Sequence, residues 1–264
     1  MHSRGMGTFT GAAGAFRNAA TRFGLRAALL IGIVALCLNA ARAVAGIPSL
    51  CVVPDNGSGT ADLPPLGCGY VTLTPMQILN GLPAGSTIEI EGLLNNFMNI
   101  VRFPGGTLGG EVEQYLAGYQ MNLAGTGGLA AFVRPASMQV QCETHAAPRV
   151  PWALVQSFPT EFFVFQGQIT GDPDFDLLRI TGGSAFGMPS PGNTMLSAQP
   201  ASQWNVDSFF DITYRVDFVG KSGGPLGGMS GSTTGTIRLQ CGIPQPVPVE
   251  EGSWGRIKAL YGGR

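Results

Sequence analysis

Three carboxylates at alternate positions, Asp172, Asp174 and Asp176 in Gly171-Asp-Pro-Asp-Phe-Asp176, form the sharpest acidic cluster in the chain. A turn that gathers them would offer hard oxygen ligands to Ca²⁺. The glycine and distal acid of an EF-hand loop do not follow, so Ca²⁺ is an expected option there rather than a required cofactor. The same aspartates could instead cap backbone N–H groups in a polar turn.

Other acids come in pairs two residues apart, Glu89 with Glu91 and Glu111 with Glu113, a spacing that puts both on one face of a strand. Paired carboxylates are the equipment of glycoside hydrolysis, but an acidic chain offers many such pairs. Metal or nucleophilic chemistry finds less support. His145 is the one histidine beyond the N-terminal leader, so multi-histidine metal sites within one chain are excluded there. It lies in Cys142-Glu-Thr-His-Ala-Ala-Pro148, which reads as a connection between repeats. No G-x-S-x-G elbow, phosphate loop or dinucleotide fingerprint occurs. These observations predict a protein that is not an enzyme, with no catalytic residues and no cofactor-binding site.

The leader is a secretion signal by its pattern. Arg4, Arg17, Arg22 and Arg26 precede the apolar run Ala27–Leu38, and Ala43 and Ala45 supply an A-x-A cleavage site before Gly46. The run is shorter than the roughly 20 apolar residues that span a bilayer, and no transmembrane segment is expected after signal removal. All five arginines of residues 1–45 would leave with it. Ten basic residues then face sixteen acids, a net charge near −6. The basic residues are scattered along the chain, which argues against nucleic-acid binding.

Export suits the cysteines. Cys37 leaves with the leader, and the remaining four suggest two bridges in an oxidising compartment. Cys51 with Cys68 would order a Pro- and Gly-rich segment, and Cys142 with Cys241 follows by elimination.

The elements that must hold these residues are strands, and they come twice. Tyr115, Tyr119 and Gly125 leading to Met138-Gln-Val-Gln-Cys142 match Phe210, Tyr214 and Gly220 leading to Ile237-Arg-Leu-Gln-Cys241. Val101–Gly106 also resembles Leu178–Gly183, which places an insertion between Gly183 and Phe210. Ile88 and Ile90 alternate with Glu89 and Glu91, and Ile212, Tyr214, Val216 and Phe218 alternate with polar residues, the period of half-buried strands. Forty glycines oppose long helices. Thr74 and Pro75 predict only a short helical turn, stopped by Gly81. The expected fold is all-β: duplicated antiparallel β-sandwich or jelly-roll-like modules, stabilised by disulfides. Its parts are a signal peptide (1–45), a disulfide-closed segment (46–69), two β modules (70–147 and 148–241) and a proline-rich linker with a short amphipathic tail (242–264).

Binding is the expected work. Trp152 and Trp204 are candidate ligand-binding rings, since sugars stack on exposed aromatics. In the tail, Trp254, Ile257, Leu260 and Tyr261 share one face of a short helix that would need a docking partner. Composition and motifs together predict a secreted, noncatalytic structural or interaction protein at the cell surface, whose partner is a surface protein, a glycan or a second copy of itself. A carbohydrate-binding module is the alternative, and a carboxylate-dependent glycoside hydrolase ranks below it. N-terminal sequencing of the exported protein should read from Gly46, and an intact Met1 or Arg22 would overturn the signal assignment.

Overall fold

The computed structural model describes residues 49–242. The leader and the tail, including Trp254, Ile257, Leu260 and Tyr261, lie outside the described residues. Among the described residues eleven strands form: β1 Val52–Pro54, β2 Tyr70–Thr72, β3 Met76–Ile78, β4 Ile88–Gly105, β5 Gly110–Gly125, β6 Val133–Ala146, β7 Val155–Thr170, β8 Phe175–Gly182, β9 Pro191–Gln199, β10 Gln203–Gly220 and β11 Ser230–Cys241. Only two 3₁₀ turns, Gly127–Leu129 and Ser184–Phe186, interrupt them among the described residues. No helix of the described residues is long and apolar enough to cross a membrane.

Every strand pairing is antiparallel, and the hydrogen-bonded path returns to its start. It runs β10–β11–β2–β4–β5–β6–β7–β8, and β8 pairs back onto β10. Eight strands therefore close a barrel, which removes the open edges that a flat sheet would expose. Both expected modules contribute strands to this one ring. β8 and β9 share the gap between β7 and β10, each pairing with part of both long strands. The segment expected as an inserted loop is thus largely β9.

Alternation behaves as expected. Ile88, Ile90, Ile212, Tyr214, Val216 and Phe218 are buried, whereas Glu89 and Glu91 are only partly covered. A barrel of this strand number has an interior just wide enough for side chains to fill. Tyr119, Phe162, Phe165, Phe175 and Phe218 fill it here, with T-shaped contacts such as Tyr119–Phe165 at 5.7 Å. Phe162 and Phe165 are three apart yet both buried, because a register shift in the β6–β7 pairing occurs between them: Glu143 faces Val164 and Thr144 faces Phe162.

The two repeated hairpins are β5–β6 and β10–β11, but their registers differ. Tyr115 pairs Cys142 in the first, whereas Ser208 rather than Phe210 pairs Cys241 in the second. A slip of two residues preserves which face each side chain takes. The other proposed match does not occupy equivalent places. Val101 pairs Gln114 near the Gly105 end of β4, while Leu178 pairs Phe218 near the opposite end of the matching hairpin strand.

The seam between β11 and β4 is the weakest part of the ring. β2 contributes two paired residues on each side, Val71 and Thr72 toward β11 and Tyr70 and Val71 toward β4. β3 extends the seam where a helical turn was expected. Met76 and Ile78 are both fully buried, and burying two alternate residues against β4 outweighs a helix too short to stand alone. Side chains complete the junction: the Gln77 backbone N–H donates to the Tyr214 hydroxyl at 2.8 Å, and that of Leu79 donates to Thr233 Oγ1 at 2.9 Å. The matched tyrosines Tyr119 and Tyr214 both reach β3, the first touching Met76 and the second Gln77.

Gly92 makes room for the first of these rings. A Cβ there would lie 2.0 Å from the Tyr119 hydroxyl oxygen. Gly92→Ala should lower unfolding free energy by about 1–3 kcal/mol through overpacking, read as a lower denaturant midpoint with an unchanged far-UV spectrum.

Candidate functional site

A polar cluster occupies the end of the barrel where β5 meets β6. Glu113 points inward and is 3% exposed. It accepts a hydrogen bond from Thr144 Oγ1 at 2.6 Å and lies 3.3 Å from Arg149, which also contacts Glu111 at 2.7 Å. Arg149 is fastened by the Ala61 carbonyl and lies over the Phe158 ring. Burial pushes the Glu113 carboxyl up to about 7, against the opposing pull of Thr144 and Arg149. Glu111 and Glu113 were expected together on a strand, and both lie on β5, Glu113 buried and Glu111 half-buried.

On the other face of the same strands, His145 is buried within β6 rather than lying in a connection. Its Nε2 is 2.9 Å from Glu143 and its Nδ1 is 2.8 Å from Thr107 Oγ1, which in turn bonds Glu161. Phe163 stacks on the ring at 4.5 Å. A hydroxyl, an imidazole and a carboxylate in line are the parts of a nucleophilic triad. Here the hydroxyl is engaged by a second carboxylate, and Ser184 Oγ donates to that same Glu161 at 2.7 Å. The arrangement crosslinks β6, β7 and two turns.

The aspartate turn does converge, on a guanidinium. Arg134 donates to Asp172 at 2.7 Å and to Asp174 at 2.5 Å, while Asp176 is exposed. Asp172 Oδ1 also accepts the backbone N–H groups of Asp174 and Phe175. These bonds hold the Asp172 carboxyl below the usual range against the opposing effect of burial, the largest single influence on it. Ca²⁺ at Asp172, Asp174 and Asp176 would have to displace Arg134.

The two tryptophans separate. Trp204 is 5% exposed and donates its indole N–H to Asp55 at 2.9 Å. Trp152 is 74% exposed, with a φ of 68°, and its ring lies over Gly59. Only Trp152 presents a face to solvent.

Cys51 and Cys68 form a disulfide, as expected, but Cys142 and Cys241 are free and buried. β6 and β11 are separated around the ring by β5, β4 and β2. Elimination among four cysteines ignored this distance, since a bridge needs Cα atoms within about 7 Å. The Cys142 thiol sits against Tyr115 instead, and burial pushes its pKa up strongly.

A broader feature was missed in the sequence because its residues are spread over four strands. The outer face of β5, β6 and β7 carries a run of amides, bordered by the Arg134–Asp172 ion pair in one concavity and by Arg179 in the other. One concavity of about 760 Å³ includes Asn96, Gln120, Asn122 and Gln139 around Gly118. A neighbouring one of about 470 Å³ includes Gln139, Gln141, Gln166 and Gln168. Gln139 lines both. Asn96 reaches this surface from β4, where the pairing with β5 is irregular and its φ is 53°. The recurring Gln at alternate positions in Gln139-Val-Gln141 and Gln166-Gly-Gln168 was the available signal.

No protein-family model, curated protein or solved structure matches this chain.

Glu113 binds a proton more tightly folded than unfolded, so its contribution to stability should fall as pH rises from about 4.5 to about 7 and then level off. The span corresponds to roughly 3 kcal/mol. Denaturant unfolding of the native chain and Glu113→Gln at pH 5 and pH 8 should show the native chain losing stability relative to the variant at the higher pH. A constant difference between the two proteins would reject that linkage.

Proposed function

We propose that this is a secreted, noncatalytic interaction protein acting at the cell exterior, and that it binds through the amide-lined outer face of β5, β6 and β7. The amide face is the observation that supports this reading. Amide side chains both donate and accept hydrogen bonds without carrying charge, so a row of them suits a ligand rich in hydroxyls or peptide groups. A closed ring of strands holds that row at fixed spacing, which lessens the ordering cost of binding. The interior favours the same reading, since it is filled by aromatic and aliphatic side chains. We read the scaffold as a duplicated, jelly-roll-like unit whose copies share this one body.

A neutral glycan is the second reading. The amides favour it, and exposed Trp152 offers a stacking surface elsewhere on the protein. The glycosidase alternative draws less support, because the buried Glu113 is covered by Arg149 and Thr144. Self-association and Ca²⁺ binding belong to the same proposal as accessories.

Gln139→Arg should weaken binding to intact cells or arrayed glycans about tenfold by placing a bulky cation at the wall shared by both concavities, with circular dichroism unchanged. Trp152→Ala should leave that binding intact. Loss with Trp152→Ala alone would move the site to the loop, and equal binding by all three proteins would reject the amide face.

Arg134→Ala frees Asp172 and Asp174, so it should raise Ca²⁺ affinity and lower stability without the ion. Titration calorimetry with CaCl₂ checks this. Equal heats from variant and native protein would remove calcium from the turn.

A further inference from the structure

The sulfur atoms of Cys51, Cys68 and Cys241 lie within 4.8 Å of one another. Two are bonded and the third is a buried thiol. β11 brings the third one there: Gln240 pairs Val71 of β2, so the next residue, Cys241, arrives beside the segment that begins at Cys68. The backbone N–H of Gly69, the residue after Cys68, faces the Cys241 sulfur and opposes the upward push on its pKa. On the other side Cys51 is held by its carbonyl, which accepts the Val206 N–H at 2.8 Å.

We propose that these three cysteines form an internal thiol–disulfide exchange site, in which Cys241 moves the bridge from Cys51–Cys68 to Cys68–Cys241. The Cys241 thiolate attacks the sulfur of Cys68. A bond forms between those two sulfurs, the Cys51–Cys68 bond breaks, and the electron pair leaves on Cys51. The proton lost by Cys241 is regained at Cys51. One thiol and one disulfide stand on each side, so no external oxidant or reductant is required.

The two bridges fasten different parts of the barrel. Cys51–Cys68 ties β1 to the segment before β2, with the cysteines 17 residues apart. Cys68–Cys241 would tie β2 to β11 across the seam, where only two residues of β2 pair with β11. It would also close nearly the whole barrel chain, and longer closures constrain the unfolded chain more. Exchange therefore trades a fastened β1 for a fastened seam.

The native fold restrains the step. Burial, together with the negative charge of Asp207, pushes the Cys241 thiol up to about 12. Tyr70 faces the same sulfur and is kept neutral by its own burial. Below that range each unit of pH raises the thiolate fraction about tenfold, and the exchange rate with it.

Full-length exported protein tests this by non-reducing peptide mapping after acid quench and alkylation. Cys51→Ser, purified and oxidised in a glutathione buffer, should contain Cys68–Cys241 with Cys142 alkylatable only on unfolding. Cys68 and Cys241 recovered as thiols, or Cys68 bonded to Cys142, would overturn the proposal. Should Cys51→Ser fail to fold, the native chain held at pH 9 decides. A Cys68–Cys241 peptide that accumulates there, and accumulates more slowly at pH 8, is the expected result. Its absence, or its replacement by Cys142-containing bridges, would overturn the site. Cys241→Ser should retain Cys51–Cys68 alone under both conditions.

Discussion

Closure of the strand ring through the β8–β10 pairing is the constraint on which the other features depend. A β-strand leaves backbone donors and acceptors unpaired along any open edge, and a ring satisfies them internally. Closing the ring also creates an inside, which must then be filled. The aromatic interior and the hydrogen-bonded wall are therefore one solution: Tyr119, Phe162, Phe165, Phe175 and Phe218 occupy space that closure would otherwise leave empty.

Polar groups appear inside or half inside where the apolar filling ends. At the β5–β6 end Glu113 is retained because Thr144 and Arg149 supply partners, while burial still raises its proton affinity. His145 is held by Glu143, Thr107 and Phe163 on the opposite face of the same strands. These networks crosslink adjacent strands and turns. At the C-terminal end of β11 the three-sulfur cluster stands beside the thin β2 seam, where backbone pairing is shortest. Covalent and ionic fastenings thus gather where the ladder is weakest or the filling runs out.

The outer surface follows from the same geometry. Strand alternation commits one side chain in two to the interior, so the others are free to vary in chemistry. Between Gln114 and Gln168 many of those outward positions carry amides, and the ring sets their spacing. A shallow polar face on a rigid wall favours contact with an extended partner over enclosure of a small substrate.

Local order was legible in the residues themselves. Alternation at Ile88–Glu91 and Ile212–Phe218 marks strands because the side-chain period of a strand is two, and glycine density disfavours helix. Cys51–Cys68 was legible because a short, poorly periodic segment lies between two cysteines. Partners distant in sequence were not. Periodicity around Thr74 does not reveal that β4 and β11 leave a gap for Met76 and Ile78, so a strand forms where a helical turn was expected. Cysteine counting does not reveal that three strands separate Cys142 from Cys241, nor that Arg134 meets Asp172 and Asp174 from another strand. Trp152 and Trp204 look alike as residue types, and only packing exposes one and buries the other. Sequence determined which faces of the strands are apolar, because alternation is a local property of the chain; tertiary structure decided which of those strands meet, because ring closure depends on residues far apart along it.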